Sequence, residues 1–200
     1  MLIATASGRR VLVAGQKSGV VHGLDPDAAG RVLWSTRVGR GSTLGGIQWG
    51  PATDGAVVYV ALSDPSYKPD GALDPAVGGG LSAVRVSDGK ILWKTPAPGC
   101  GERANCSPAQ SAAVTAIRGI VFSGSVDGHM RAYTAANGRI VWDVDTARDF
   151  ETVNNVRAHG GSIDLAGPTV VDGVVLLTSG YGLMGGMTGN VLLAFTPGGK

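Results

Sequence analysis

The residues of this chain whose types and spacing could do chemistry lie in loops. Trp49 closes the segment Gly45-Gly-Ile-Gln-Trp-Gly50. Paired glycines permit close backbone approach, and an indole behind them offers a flat platform for a planar ligand. The same residue also reads as one more core tryptophan, and the sequence leaves both readings open. Asp149, Glu151, Asn154 and His159 share one polar stretch, residues 146–162. Carboxylates and imidazoles are the usual proton acceptors, although His159, in Ala-His-Gly-Gly-Ser, suits a structural hydrogen bond equally well. Cys100 and Cys106 are the only cysteines and close a short loop containing glycine. A disulfide made in an oxidising compartment is favoured over two unpaired thiols. The spacing excludes the Cys-x-x-Cys-His of c-type haem attachment.

Loops of this kind need a rigid frame, and an internal repeat supplies one. Gly23-Leu-Asp-Pro-Asp-Ala-Ala-Gly-Arg-Val-Leu-Trp34, Ala83-Val-Arg-Val-Ser-Asp-Gly-Lys-Ile-Leu-Trp93 and Ala132-Tyr-Thr-Ala-Ala-Asn-Gly-Arg-Ile-Val-Trp142 share one pattern: a small residue, a strand, a glycine turn, a basic residue, two apolar residues and tryptophan. A fourth copy, Ala194-Phe-Thr-Pro-Gly-Gly-Lys200, stops short of its tryptophan. A period of roughly 40 to 60 residues in an all-β pattern indicates propeller blades. The expected fold is therefore an all-β, partial β-propeller of about three and a half to four four-stranded blades, at 1–38, 39–98, 99–147 and 148–200. Trp34, Trp93 and Trp142 recur at equivalent positions on the outermost strand, so they are expected to dock neighbouring blades rather than to touch a ligand.

Composition agrees. Glycine at 33 of 200 residues, with charged residues at only 16%, fits many tight turns between buried strands. The net charge of +2, without a basic run, gives no support to nucleic-acid binding. No apolar run approaches the roughly 18 residues of a membrane span. Met1 to Arg10 lacks the basic-then-apolar order of a signal peptide and reads as a strand and turn, so the chain is expected to begin within an architecture.

In a four-stranded antiparallel blade with strands A to D, the A–B and C–D turns share one face of the disc. The B–C and D–A loops share the other. The short turns here (Thr53-Asp-Gly55, Ser87-Asp-Gly89, Ala136-Asn-Gly138, Val171-Asp-Gly173) fall in the first class, and the long polar stretches 38–48, 63–80, 96–110 and 146–162 fall in the second. The expected binding face is therefore the B–C/D–A face, around the central channel.

The tryptophan repeats resemble the docking motif of pyrroloquinoline quinone (PQQ) dehydrogenases. Gly15-Gln-Lys-Ser-Gly19, Gly45-Gly-Ile-Gln-Trp-Gly50, Ala61-Leu-Ser-Asp64, Cys106-Ser-Pro-Ala-Gln-Ser-Ala-Ala113 and Thr146-Ala-Arg-Asp-Phe-Glu-Thr-Val-Asn154 are similar to the polyvinyl-alcohol dehydrogenase branch. The resemblance covers essentially the whole chain. It implies part of an eight-bladed, periplasmic propeller that oxidises alcohols with PQQ and calcium and passes electrons to a cytochrome c. It implies that Trp49, with Gly45 and Gly46, lies under PQQ. It makes Lys17 a contact of the quinone oxygens, sets Asn154 among the cofactor loops, and gives Asp64, in Asp64-Pro65, the place of a calcium ligand. The family's quinone-side disulfide joins adjacent cysteines, a departure from Cys100 and Cys106. Where the family has its catalytic Asp, residues 99–110 hold Glu102 and no aspartate. The base is left unassigned among Asp149, Glu151 and His159. Two alternatives stand beside this reading: a non-catalytic propeller scaffold for protein assembly, and a fragment needing further blades or a second chain. The Gly-Gly-x-x-Trp-Gly segment and Asp64 favour the enzyme.

Overall fold

Alternating apolar strands and glycine turns build a stack of antiparallel sheets. A computed structural model describes residues 1–103, 106–180 and 185–198; Gly199 and Lys200 of the fourth repeat copy lie outside the described residues. The first sheet runs β1 (Leu2–Ala4), β2 (Arg10–Gly15), β3 (Val20–Asp25) and β4 (Arg31–Arg37). The second is β5 (Ala52–Thr53), β6 (Val57–Ala61), β7 (Leu81–Arg85) and β8 (Ile91–Thr95). The third comprises β9 (Thr115–Ile117), β10 (Ile120–Gly124), β11 (His129–Thr134) and β12 (Ile140–Asp145). A small hairpin follows, β13 (Asp149–Phe150) with β14 (Ala158–His159), and then a three-stranded sheet of β15 (Thr169–Val171), β16 (Val174–Ser179) and β17 (Val191–Phe195). All strand pairs are antiparallel and meander in chain order, as propeller blades do.

The inner strands of the second and third blades are buried on both faces, which is why they read as apolar runs. Val58 and Val60 of β6 pack toward the first blade with Val11, Val13 and Val21, while Tyr59 and Ala61 turn the other way to meet Val121 and Tyr133 of the third. Phe122, Met130 and Ala132 then join Ile163 and Leu177 of the last blade. Among the described residues the core is thus three inter-blade layers.

The repeated tryptophans lock these layers. Trp34 Nε1 donates to Val86 O of the next blade (2.9 Å), and Trp93 Nε1 donates to Ala135 O (2.9 Å). Thr36 and Thr95, two residues on, donate to the carbonyls of Gly89 (2.6 Å) and Gly138 (2.8 Å). Each indole lies on the turn glycine: a Cβ on Gly89, whose φ is +74°, would stand 2.6 Å from the Trp34 ring. Trp142 packs edge-on against Phe122 and Phe195, with ring centroids 6.4 and 5.1 Å away. A bulge just before each tryptophan shifts the register between β3 and β4, β7 and β8, and β11 and β12. The extra residues, Leu33, Leu92 and Val141, let the strand turn its indole onto the neighbouring blade.

Candidate functional site

The B–C and D–A loops converge at one end of the blades, where backbone bonds tie each loop to the next. Ile47 N donates to Gln16 O (3.1 Å), Ser63 N to Gly46 O (2.9 Å), Gln110 N to Leu62 O (2.8 Å) and Ile163 N to Ser125 O (3.0 Å). A cleft opens among these loops, lined by Trp49, Tyr67, Leu73, Ser107, Ser111 and Asp164. Its walls come from both classes of loop expected on this face.

Trp49 is 46% exposed at the cleft, whereas Trp34 is 9% exposed between blades. Trp49 is therefore no core tryptophan. Opposite chemistry is available in polar atoms without partners. Ser111 Oγ, which belongs to a cleft-lining residue, and Gln110 Oε1 are buried and accept or donate no hydrogen bond among the described residues. Gln110 is held by its amide nitrogen, which donates to Ser123 Oγ (2.8 Å) and Tyr133 Oη (3.2 Å). Burial pushes the Tyr133 phenol up to about 12, so it stays protonated. Buried polar atoms left unpaired cost stability; Ser111 shares the cleft with the exposed indole, while Gln110 lies outside its lining.

Asp64 sits 8% exposed with a positive φ of +40°. Its Oδ2 accepts from Arg40 N (2.8 Å), and its Oδ1 accepts from Gly41 N (3.0 Å) and Gly46 N (2.6 Å). Both oxygens are thus occupied by N–H donors, which present partial positive charge where a cation would need lone pairs. Among the described residues no group of three or more Asp, Glu, His or Cys side chains could hold a metal ion. The carboxylate as arranged does not fit a calcium site; it is the clasp of loop 39–46. Gly45 and Gly46 serve the same clasp, since a Cβ on Gly45 would lie 2.6 Å from Asp64 Oδ1 and one on Gly46 would strike the Lys17 carbonyl. Lys17 is exposed and does not line the cleft; its Nζ donates to Thr43 O (3.1 Å).

Asp149, Glu151, Asn154 and His159 lie on or beside the β13–β14 hairpin, which interrupts the stretch 146–162 expected as loop. Asp149 Oδ1 and His159 Nδ1 are 2.7 Å apart, with side chains 94% and 52% exposed. Asn154 Oδ1 accepts from Val156 N (3.4 Å). None of the four lines the cleft beside Trp49. Asp164, from the end of the same connection, does. A signal for it was present in the sequence. Gly45-Gly-Ile-Gln-Trp49 and Gly160-Gly-Ser-Ile-Asp-Leu165 are variants of one segment: Ile47 fills the space over Gly15 as Ile163 fills that over Gly124, which puts Asp164 in the place of Gln48.

Cys100 and Cys106 are joined, with Cα atoms 6.2 Å apart. Cys106 is buried directly before the cleft residues Ser107, Ala109 and Ser111. Arg103, inside this loop, donates to Asp127 O (2.9 Å) and pairs with Asp145. Beneath it Arg131, only 2% exposed, binds Asp127 (2.7 Å), Asp143 (3.1 Å) and Ser125 Oγ (2.8 Å). This network braces the B–C turn that carries cleft residue Val126 and is not apparent in the linear sequence.

Residues 17–173 match a family model described as outer membrane protein assembly factor BamB. The chain is 43% identical over 205 aligned positions to a polyvinylalcohol dehydrogenase of a Pseudomonas species, covering 96% of this chain and 31% of that protein. It is 38% identical over 209 positions to the polyvinylalcohol dehydrogenase of Sphingopyxis sp. strain 113P3, covering 98% of this chain and again 31% of the relative. The chain thus spans about a third of the length of these relatives. The crystal structure of BamB from Moraxella catarrhalis superposes with a TM-score of 0.63 at 18% identity, over all of this chain and 50% of the other, which establishes the propeller fold alone.

Proposed function

Because the chain belongs to the PQQ-type β-propeller family whose model is described as outer membrane protein assembly factor BamB, and has dehydrogenases as its relatives, we propose that it is part of an alcohol dehydrogenase and forms one wall of a quinone pocket. The observation that carries this reading is the exposed Trp49 sharing its cleft with Ser111, whose buried Oγ has no partner among the described residues. A planar, oxygen-rich cofactor meets both needs, by stacking on the indole and by accepting a hydrogen bond from Ser111 Oγ. Bound PQQ would supply a two-electron sink. The residues of this chain bind and orient it: Trp49 as floor, Ser111 as polar edge, and exposed Lys17, on a loop bonded to that of Trp49, as the cation. No step is assigned to calcium, since both oxygens of Asp64 are taken up by backbone N–H groups. In this reading the substrate is an alcohol, polymeric secondary alcohols by analogy with the relatives' names. The electrons leave to a cytochrome c, further blades or a second chain complete the ring, and the site is periplasmic, in keeping with the Cys100–Cys106 bond. Among the described residues no helix is long and apolar enough to cross a membrane.

The match to an assembly-factor model favours a second reading, a non-catalytic scaffold. Tryptophan fluorescence separates the two. Adding PQQ to the folded protein quenches emission, and Trp49→Ala removes most of that quenching without lowering the melting temperature by more than a few degrees. Absence of quenching in folded wild-type protein would favour the scaffold.

A further inference from the structure

A second recess lies between the first and second blades, and it shares no lining residue with the cleft of Trp49. It encloses about 620 Å³, within the range of small-molecule sites, roughly 300–1,000 Å³. Its charged lining is Arg37, Arg40, Lys94 and Asp64. Asp64 is buried with both oxygens on backbone N–H groups, whereas the three cations are exposed. None of the three pairs with a carboxylate among the described residues.

The wall of this groove also carries an orphaned hydroxyl. Val84 of β7 packs toward the first blade, and strand alternation puts Ser82, two residues earlier, on the same face. In register Ser82 stands between Val60 of β6, which also packs toward the first blade, and Lys94 of β8. Its Oγ is buried and has no hydrogen-bond partner among the described residues. A buried hydroxyl without a partner costs stability, and the neighbouring positions on this face are valines. Rotation about the Cα–Cβ bond turns a serine hydroxyl to another staggered position, so Oγ can reach an acceptor in the groove beside Lys94.

The two arginines are anchored yet keep N–H groups in reserve. Arg37 uses Nη1 alone, which donates to Ser18 O (2.7 Å), Gly39 O (3.2 Å) and Arg40 O (3.2 Å). Arg40 commits its Nη2 to Asp64 O (3.2 Å). The other side-chain nitrogens of both, and Lys94 Nζ, donate to nothing among the described residues. Guanidinium groups with open N–H edges bind carboxylate and phosphate oxygens in pairs, and a lysine adds a point charge. Three cations facing one buried, already satisfied carboxylate leave the groove with an excess of positive charge that a ligand anion would offset. We infer that this groove binds a small molecule through an oxyanion, a phosphate or carboxylate group, held by Arg37, Arg40, Lys94 and Ser82 Oγ. The inference does not rest on the quinone-pocket reading.

The test titrates the protein calorimetrically with inorganic phosphate and, separately, with succinate, against a chloride background of constant ionic strength. One saturable site per chain is expected. Arg37→Gln, Lys94→Gln and Ser82→Ala should each weaken it about tenfold. Arg118→Gln removes an exposed cation from the turn between β9 and β10 and should leave binding unchanged. Tighter phosphate would assign the site to phosphoryl groups and tighter succinate to carboxylates; either supports it. Thermal unfolding separates a ligand contact from a structural role. Without anion, Ser82→Ala should melt at the wild-type temperature or above, since no hydrogen bond is lost; with phosphate, the wild type should gain more than the variant. A drop of several degrees in anion-free Ser82→Ala would show that the hydroxyl serves the fold, and would overturn the inference. Heats no larger than those of added chloride would overturn it as well, as would undiminished binding in the Arg37→Gln/Lys94→Gln double variant.

Discussion

At the scale of single residues, identity and environment diverge most at Asp64 and Asp164. Asp64 stands beside a proline in a segment that resembles a metal site, and its type alone cannot distinguish a cation ligand from a loop clasp. The difference lies in the amides of Arg40, Gly41 and Gly46, which come from a loop some 20 positions away and turn inward only once the blades are stacked. The consequence is measurable. Asp64→Ala leaves three inward-facing N–H groups without an acceptor and should destabilise the protein by about 3 kcal/mol in urea unfolding, whereas a calcium chelator should leave the wild-type melting temperature unchanged. A chelator-induced drop of several degrees would show that Asp64 or its neighbours hold an ion after all. Asp164 illustrates the opposite case. Its Gly-Gly-Ser-Ile context repeats the Gly-Gly-Ile context of Trp49, so the position was legible in principle. One inserted serine obscured the match, and only the equivalent seats of Ile47 and Ile163 over Gly15 and Gly124 reveal it.

Elements were far more legible than sites, because each blade repeats one solution to one packing problem. The Gly-basic-apolar-apolar-Trp pattern encodes turn, strand and docking residue together, and the bulge before each tryptophan follows from the need to aim an indole sideways. The β13–β14 hairpin is not legible in the sequence because its strands are two residues each, too short for any alternation to register. The docking geometry can be measured with the chain as its own control. Gly89 and Gly138 both lie under an indole from the preceding blade. Gly30, the corresponding turn glycine of the first blade, has φ +76° and nothing within 4 Å of a built Cβ. Alanine at Gly30 therefore carries only the left-handed backbone cost, about 1 kcal/mol. Alanine at Gly89 or Gly138 adds displacement of Trp34 or Trp93 and should cost about 3 kcal/mol. Equal losses at all three positions would mean that the indoles do not hold the blades together.

For the molecule as a whole, the stacking of blades places functional loops on one end, and a charged network fastens the loop between the second and third blades to the third. Its outer link is Arg103, inside the Cys100–Cys106 loop, on Asp145 of β12. Partial burial raises the Asp145 carboxyl, but the hydrogen bonds from Arg103 and Ala147 N and the nearby charges of Arg103 and His129 outweigh it, so its value lies below the ordinary carboxylate range. A group with a depressed folded pKa contributes stability that is complete above its unfolded value, about 3.9 for aspartate, and is lost as pH falls through the folded value. Asp145→Asn should therefore lower the melting temperature at pH 7, since it removes the charge but keeps the shape. The gap from wild type should persist down to about pH 4 and close below it, where the wild-type carboxyl takes up a proton and becomes equivalent to the variant. High salt should shrink the gap only partly, because Arg103 and Asp145 are each about a third exposed. A gap that widened on acidification would reverse the sign of the interaction. A constant gap across the range would mean that Arg103 holds its loop through Asp127 O and the disulfide, without help from charge.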